Sequence, residues 1–177
     1  MERIHVSTRC KRIFNLLTIL LIVASMTLWG TASLAEKTTT VNVKTVMSGP
    51  QPTMLPAGDD ENHMVGLGQR TGEAVFSDGR KAKYSNVFVV DYYRGKSATM
   101  WGYTKMVFED GSWLFFKWDS AVNGSDENGP TSKGTGTILK GAGQYEGIKG
   151  KAEFTNRRLP NPPGTTEANA VFTYSLP

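Results

Sequence analysis

Apolar and polar residues alternate along most of this chain in runs of about ten residues, and glycine, aspartate or proline turns separate the runs. This period is typical of β-strands, and no helical period is found after residue 35. The pattern predicts strands at residues 65–76, 84–93, 97–109, 112–123 and 168–176. Their regular spacing indicates an all-β, antiparallel domain, either a sandwich or a barrel.

Residues 133–154 favour the barrel, because six glycines interrupt two strand-like pieces there: Gly134, Gly136, Gly141, Gly143, Gly147 and Gly150. Glycine weakens a strand unless the chain bends sharply or another backbone comes close. We therefore predict two tightly curved strands that close a small antiparallel barrel. A phosphate-binding loop is the alternative, but the lysine and hydroxyl residue of that motif are missing.

The clearest hairpin joins residues 97–109 to 112–123. A two-residue turn at Asp110 and Gly111 would place Lys105 opposite Phe116 and Tyr103 opposite Trp118. An aromatic face with one cation suits a polar or anionic ligand in an apolar cavity. The candidate ligand-binding residues are therefore Trp101, Tyr103, Lys105, Phe116 and Trp118. Alternatively, Lys105 extends outward over aromatic rings. Both hairpin faces are largely apolar, so we expect the outer face to be covered as well.

The first 35 residues have the composition of a signal peptide. A basic start is followed by an apolar run at residues 13–28, and Ser33 and Ala35 provide the small residues of a cleavage site. An uncleaved anchor is the alternative, but the run is shorter than the roughly 20 residues that span a bilayer. We expect a periplasmic or secreted protein with no stable membrane insertion after cleavage. Residues 36–63 are predicted as an irregular lead-in with a possible first strand, and residues 64–177 as the barrel.

Charge and cysteine content exclude several function classes for the part after residue 35. The chain has 20 Lys+Arg and 16 Asp+Glu, and residues 1–35 hold four of the former and one of the latter. The remainder keeps 16 and 15, a net charge near +1, which gives no indication of nucleic-acid binding. The single cysteine, Cys10, lies in the signal segment. Disulfides, a thiol nucleophile and a cysteine metal site are thus excluded beyond it.

Candidates for acid–base chemistry are few. Glu73 and Asp91 lie within or at the end of predicted strands and could act as a buried acid or base; the alternative is that they face solvent. His63 follows the acidic residues 59–61, but this spacing fits no standard metal site. We therefore expect His63 to be exposed, and we expect no metal and no cofactor.

The glycine pattern has a family resemblance. Gly134-Thr-Gly136, followed by Gly141-Ala-Gly143-Gln-Tyr-Glu-Gly147-Ile-Lys-Gly150, resembles the closing strands of the allene oxide cyclase and dirigent barrels. The order of the elements also fits, with most similarity to exported bacterial proteins that carry such a barrel. The resemblance implies an eight-stranded antiparallel barrel with an apolar cavity, often assembled as a trimer. The plant cyclases need no cofactor and use a buried carboxylate; no stretch here matches the motif that carries it.

Three functions are consistent with these observations. The first is a non-enzymatic module that binds a small apolar or amphipathic ligand, which the aromatic hairpin indicates. The second is a cofactor-free cyclase or isomerase, which only the resemblance suggests. The third is an oligomeric structural or interaction protein, for example a homotrimer, that uses the apolar outer face. The direction in which Lys105, Glu73 and Asp91 point separates the first two from the third.

Overall fold

The computed structural model describes residues 37–177, which contain nine β-strands and one short 3-10 helix, Gly143–Tyr145. The strands are β1 (Thr38–Ser48), β2 (Thr53–Pro56), β3 (His63–Phe76), β4 (Lys81–Tyr93), β5 (Ser97–Phe108), β6 (Trp113–Asp126), β7 (Gly129–Ala142), β8 (Lys149–Arg158) and β9 (Thr166–Ser175). The predicted all-β class is confirmed. The predicted signal peptide lies outside the described residues.

The sheet closes into an eight-stranded antiparallel barrel, as predicted. Each strand from β3 to β8 pairs with the next strand in sequence, β9 pairs with β1, and β1 also pairs with β3. The short strand β2 pairs with the first residues of β3, beyond the part that β1 occupies. Because β1 closes the ring, the barrel begins at Thr38 and not at residue 64, and the lead-in contributes a full barrel strand.

One end of the barrel is filled by aromatic rings under a single arginine. Phe76, Phe108 and Tyr145 are buried there, and the Arg80 guanidinium lies 5.3, 5.7 and 5.6 Å from their respective ring centres. Asp78 pairs with Arg80 at 2.5 Å. Burial raises the pKa of Tyr145 to about 12, although the Arg80 charge opposes this rise. Cation–π contacts and a charged hydrogen bond together hold the guanidinium over the aromatic rings at this end.

The β5–β6 hairpin differs from the prediction by one residue. Phe108 donates its N–H to the carbonyl of Ser112 at 2.9 Å, and Gly111 donates to the carbonyl of Phe108 at 3.0 Å. The loop therefore has three residues, 109–111, and Gly111 takes the left-handed conformation at φ +83°. This is the alternative hairpin in which a turn is followed by a glycine bulge. Lys105 consequently lies opposite Phe115, and the predicted pairing with Phe116 is wrong.

The glycine-rich stretch forms two paired strands, β7 and β8, as predicted. Gly134 shows why glycine is needed there. A Cβ atom at this position would lie 2.3 Å from the carbonyl oxygen of Asp119 and 2.4 Å from the ring of Phe154. The Asp119 carbonyl on β6 and the Phe154 ring on β8 leave no room for a side chain, so glycine is required here.

Candidate functional site

The barrel encloses a cavity of about 720 Å³, which extends to the end of the barrel opposite Arg80. Its lining reaches the β1–β2 connection at Gln51 and Pro52 and the β4–β5 turn at Gly95 and Lys96, which form its mouth. The volume falls within the roughly 300–1,000 Å³ that is usual for small-molecule sites. Most of the wall is apolar: Met47, Met54, Phe88, Val90, Met100, Met106, Phe116, Trp118, Val122, Ala152, Phe154, Ala168, Ala170 and Phe172.

Strand alternation and small residues create this space. Gly68 lies directly opposite Phe88, and a Cβ atom there would be 2.4 Å from the phenyl ring, so glycine lets the ring lie flat on β3. The other rings meet edge to face: Trp118 and Phe154 at 6.0 Å and 86°, and Phe116 and Phe172 at 5.4 Å and 87°. Such pairs hold the aromatic walls in place and leave the centre of the barrel open.

A buried group of polar side chains crosses these walls at one level, and we call it the polar belt: Tyr84, Asn86, Thr104 and the indole N–H of Trp118. Asn86 Nδ2 and Thr104 Oγ1 both donate to Tyr84 Oη, at 3.0 and 3.3 Å. Trp118 Nε1 donates to Thr104 Oγ1 at 3.0 Å. Burial raises the pKa of Tyr84, so the phenol stays protonated at neutral pH. The polar belt therefore provides uncharged hydrogen-bonding groups at one height of the cavity wall.

Arg70 adds a positive charge next to the polar belt. It lies on β3 directly opposite Asn86 on β4, and its guanidinium is 5.5 Å from the ring centre of Phe88. Arg70 Nη1 donates to Thr166 Oγ1, whereas the buried Nε atom has no hydrogen-bond partner among residues 37–177. Burial, together with the nearby charge of Arg158, lowers the pKa of Arg70. A guanidinium stays protonated at neutral pH all the same.

The structure separates the five predicted ligand-binding residues. Phe116 and Trp118 are buried and line the cavity. Trp101 and Tyr103 are 46% and 40% exposed on the outer face of β5. Lys105 is exposed on the same face, with its ammonium 4.9 Å from the ring centre of Trp113. The separation follows from the one-residue shift of the hairpin, because successive side chains point to opposite faces of a strand.

Neither predicted carboxylate lines the cavity. Glu73 and Asp91 are exposed and occupy outward positions of β3 and β4. Asp91 Oδ1 lies 2.8 Å from Nε2 of His63. The acid or base role predicted for these two residues therefore has no support from their placement in the barrel.

The predicted exposure of His63 is wrong, because its side chain is only 14% exposed. Its ring stacks on Tyr93 at 4.0 Å, and Nδ1 lies 2.6 Å from Asp59 Oδ1 while Nε2 contacts Asp91. Burial alone would lower the pKa of His63, but the hydrogen bonds to the two carboxylates outweigh it and raise the pKa above 6.5. The described residues contain no group of three or more His, Cys, Asp and Glu that could hold a metal ion.

Sequence reasoning missed Arg70 and the polar belt. A signal was present, since Arg70 has the same parity along β3 as Ala74 and Phe76, which are buried. That parity places an arginine on the inner face of a strand, where an unpaired charge is costly and therefore informative. Asn86 likewise lies two residues from Tyr84 and two from Phe88, so it shares the inner face of β4 with them.

Comparison with known proteins gives structural matches only. No protein-family model matches the chain, and no curated protein matches it. Among solved structures, the pterocarpan synthase dirigent protein GePTS1 is similar at a TM-score of 0.46 and 17% identity, over 80% of this chain and 92% of that one. For the pterocarpan synthase dirigent protein PsPTS1 the TM-score is 0.47 and the identity 17%, over 79% and 96%. Dirigent proteins are one of the two families that the glycine pattern resembles.

No helix within residues 37–177 is long and apolar enough to cross a membrane.

Proposed function

We propose that this protein binds one small amphipathic molecule inside its barrel. The observation that carries the proposal is the 720 Å³ cavity, which has apolar walls, one level of hydrogen-bonding groups and a mouth near Lys96. An eight-stranded barrel is just wide enough to hold one small ligand. Transfer of the apolar part of the ligand from water to these walls drives binding, and the polar level fixes its orientation.

The walls favour a rigid site. Phe88, Trp118 and Phe154 are held by ring contacts and by a glycine-to-ring approach, so little side-chain freedom is lost when a ligand enters. The opposite end is filled by Arg80 and its aromatic neighbours, which leaves the mouth near Lys96 as the route of entry.

Binding of Nile red, a neutral fluorescent dye, tests the proposal. Ala168 lines the cavity and points inward, whereas Asn169 is exposed on the outer face of the same strand. Ala168→Phe fills part of the cavity and should abolish most of the dye fluorescence, while Asn169→Phe should leave it unchanged. Equal fluorescence from both variants would place the dye on the surface and overturn the proposal.

We further propose that the protein acts in the periplasm or outside the cell, on the basis of the signal-peptide composition of residues 1–35. Sequencing the N-terminus of the exported protein tests this. The proposal expects Glu36 as the first residue, and recovery of the intact chain from the cytoplasm alone would contradict it.

The outer face supports a second candidate function, association between copies of this chain. Leu67, Val87 and Trp101 are 59%, 52% and 46% exposed on neighbouring strands β3, β4 and β5. An apolar patch of this kind commonly marks an interaction surface. Light scattering at micromolar concentration tests it: the trimer that the family resemblance implies should dissociate in a Trp101→Glu variant. A monomeric wild-type protein would contradict this candidate. No feature of the described residues favours the cyclase alternative.

A further inference from the structure

The Arg70 guanidinium, in the cavity wall, has no countercharge among residues 37–177. None of the ion pairs formed by residues 37–177 includes Arg70, and its buried Nε atom donates to no acceptor there. A buried charge that lacks a partner is strongly destabilising. An anion at this position would remove that cost and would gain a charge-assisted hydrogen bond.

The other charged residues of the cavity wall also favour an anionic ligand. Among residues 37–177, the charged residues of the wall are Arg70, Lys96, Arg157 and Arg158, and no aspartate or glutamate lines it. The Arg157 charge is compensated, because its guanidinium bonds Glu167 at 2.9–3.0 Å. Burial and the nearby charge of Arg158 together lower the pKa of Arg70. The electrostatic potential inside the barrel is therefore positive, which favours an anionic ligand over a neutral one.

Asn86, beside Arg70, places a second requirement on the ligand, which must donate a hydrogen bond. Its Nδ2 donates to Tyr84 Oη, but its buried Oδ1 accepts no hydrogen bond within the described part of the chain. Arg70 and Asn86 are direct cross-strand partners, so their Cβ atoms lie about 5 Å apart. A ligand that satisfies both residues must accept a hydrogen bond from Arg70 and donate one to Asn86.

We propose that the ligand is an amphipathic hydroxycarboxylate. Its carboxylate pairs with Arg70, a hydroxyl group close to that carboxylate donates to Asn86 Oδ1, and its apolar body lies along Phe88, Trp118 and Phe154. This inference rests on the proposed binding function and specifies the chemical class of the ligand for the same cavity.

Calorimetry with three probes of equal chain length tests the inference: decanoate, its α-hydroxy analogue and methyl decanoate. The wild-type protein should bind decanoate at least about tenfold more tightly than the ester, since a charged hydrogen bond contributes about 1.5–3 kcal/mol. The α-hydroxy acid should bind more tightly than decanoate. Equal affinity for acid and ester would overturn the inference and leave the binding function intact, whereas failure of all three probes to bind would overturn both.

Two variants and one control test the contacts of the ligand with Arg70 and Asn86. Arg70→Met should weaken binding of both acids by about tenfold or more and leave the ester unchanged. Asn86→Leu should remove the preference for the α-hydroxy acid and retain the preference of acid over ester. Arg94 is exposed and is not part of the cavity wall, so Arg94→Met is the matched control and should bind like the wild type. If Arg70→Met and Arg94→Met lowered the affinity for the acids equally, Arg70 would not be the anion site. The comparison of the three probes with the wild-type protein decides the inference even if Arg70→Met does not fold.

Discussion

Trp118 donates its indole N–H to the hydroxyl of Thr104 at 3.0 Å, and this hydrogen bond couples the aromatic wall of the cavity to the polar belt. Thr104 is fully buried, and its hydroxyl donates a hydrogen bond to Tyr84 Oη. Trp118 therefore stays in one orientation although it stands beside an open space. The cavity keeps its shape because a chain of buried hydrogen bonds fixes its largest side chain.

The Thr104–Trp118 contact predicts a stability effect. Thr104→Val keeps the shape of the side chain but leaves the buried Trp118 N–H without an acceptor, which should lower the free energy of unfolding by about 1–3 kcal/mol. Urea denaturation measures this change. Thr99→Val, at an exposed outer position of the same strand, is the control and should be nearly neutral. Equal losses in the two variants would show that the hydrogen bond to Trp118 is unimportant.

The observed β5–β6 register predicts that two tryptophans differ in their accessibility to a quencher. Trp101 is 46% exposed on the outer face, and Trp118 is 7% exposed on the inner face. Two single-tryptophan variants test this: both have Trp29 and Trp113 replaced by phenylalanine, and each keeps either Trp101 or Trp118. Acrylamide should quench the fluorescence of Trp101 several-fold more strongly than that of Trp118. The two-residue turn would have placed both rings on one face. Similar quenching of the two would therefore contradict the observed register.

His63 predicts a pH dependence of stability. Its two carboxylate partners raise its pKa in the folded state above the value of 6.5, so the folded protein binds this proton more tightly than the unfolded chain. The resulting stabilisation is complete below about pH 6.5 and is lost as the pH rises through the folded-state pKa. NMR titration of the imidazole, in a His5→Gln background, should give a pKa above 6.5.

Two variants test the origin of this effect. Asp91→Asn removes one carboxylate from the ring and should move the pKa of His63 back toward its ordinary value. His63→Gln should abolish the loss of stability that urea denaturation detects above pH 6.5. Persistence of the same pH dependence in His63→Gln would assign it to another group.

Gly134 predicts a packing effect that depends on its close contacts with β6 and β8. Gly134→Ala forces a methyl group against the Asp119 carbonyl and the Phe154 ring and should cost about 1–3 kcal/mol. Gly124 is the matched control, because only Thr131 Oγ1, at 3.3 Å, lies near a Cβ atom built there. Gly124→Ala should change the unfolding free energy by less than about 0.5 kcal/mol. If both variants unfold at the same urea concentration, close strand approach does not explain the glycine.

The sequence was sufficient for most of the strands after residue 64 and for much of the turn chemistry, but it did not show that β1 closes the barrel. Glycines at the β3–β4 and β4–β5 turns, Gly79 and Gly95, have φ values of +90° and +73°, as turn residues of this kind require. The alternation within β5 also identified correctly which residues share a face. It could not show that the set containing Trp101 and Lys105 points outward, because alternation is symmetric between the two faces of a strand.

The sequence by itself determined an all-β chain, its antiparallel order and the curvature that closes it, because these depend on local periodicity and on glycine. Only the tertiary structure decided which faces enclose the cavity. One residue in the loop at Gly111 shifted the register and moved Tyr103 and Lys105 away from Phe116 and Trp118. The site at Arg70 and Asn86 likewise depends on the register of the β3–β4 hairpin, which makes residues 16 positions apart cross-strand neighbours, because alternation within each strand does not fix how two strands are aligned.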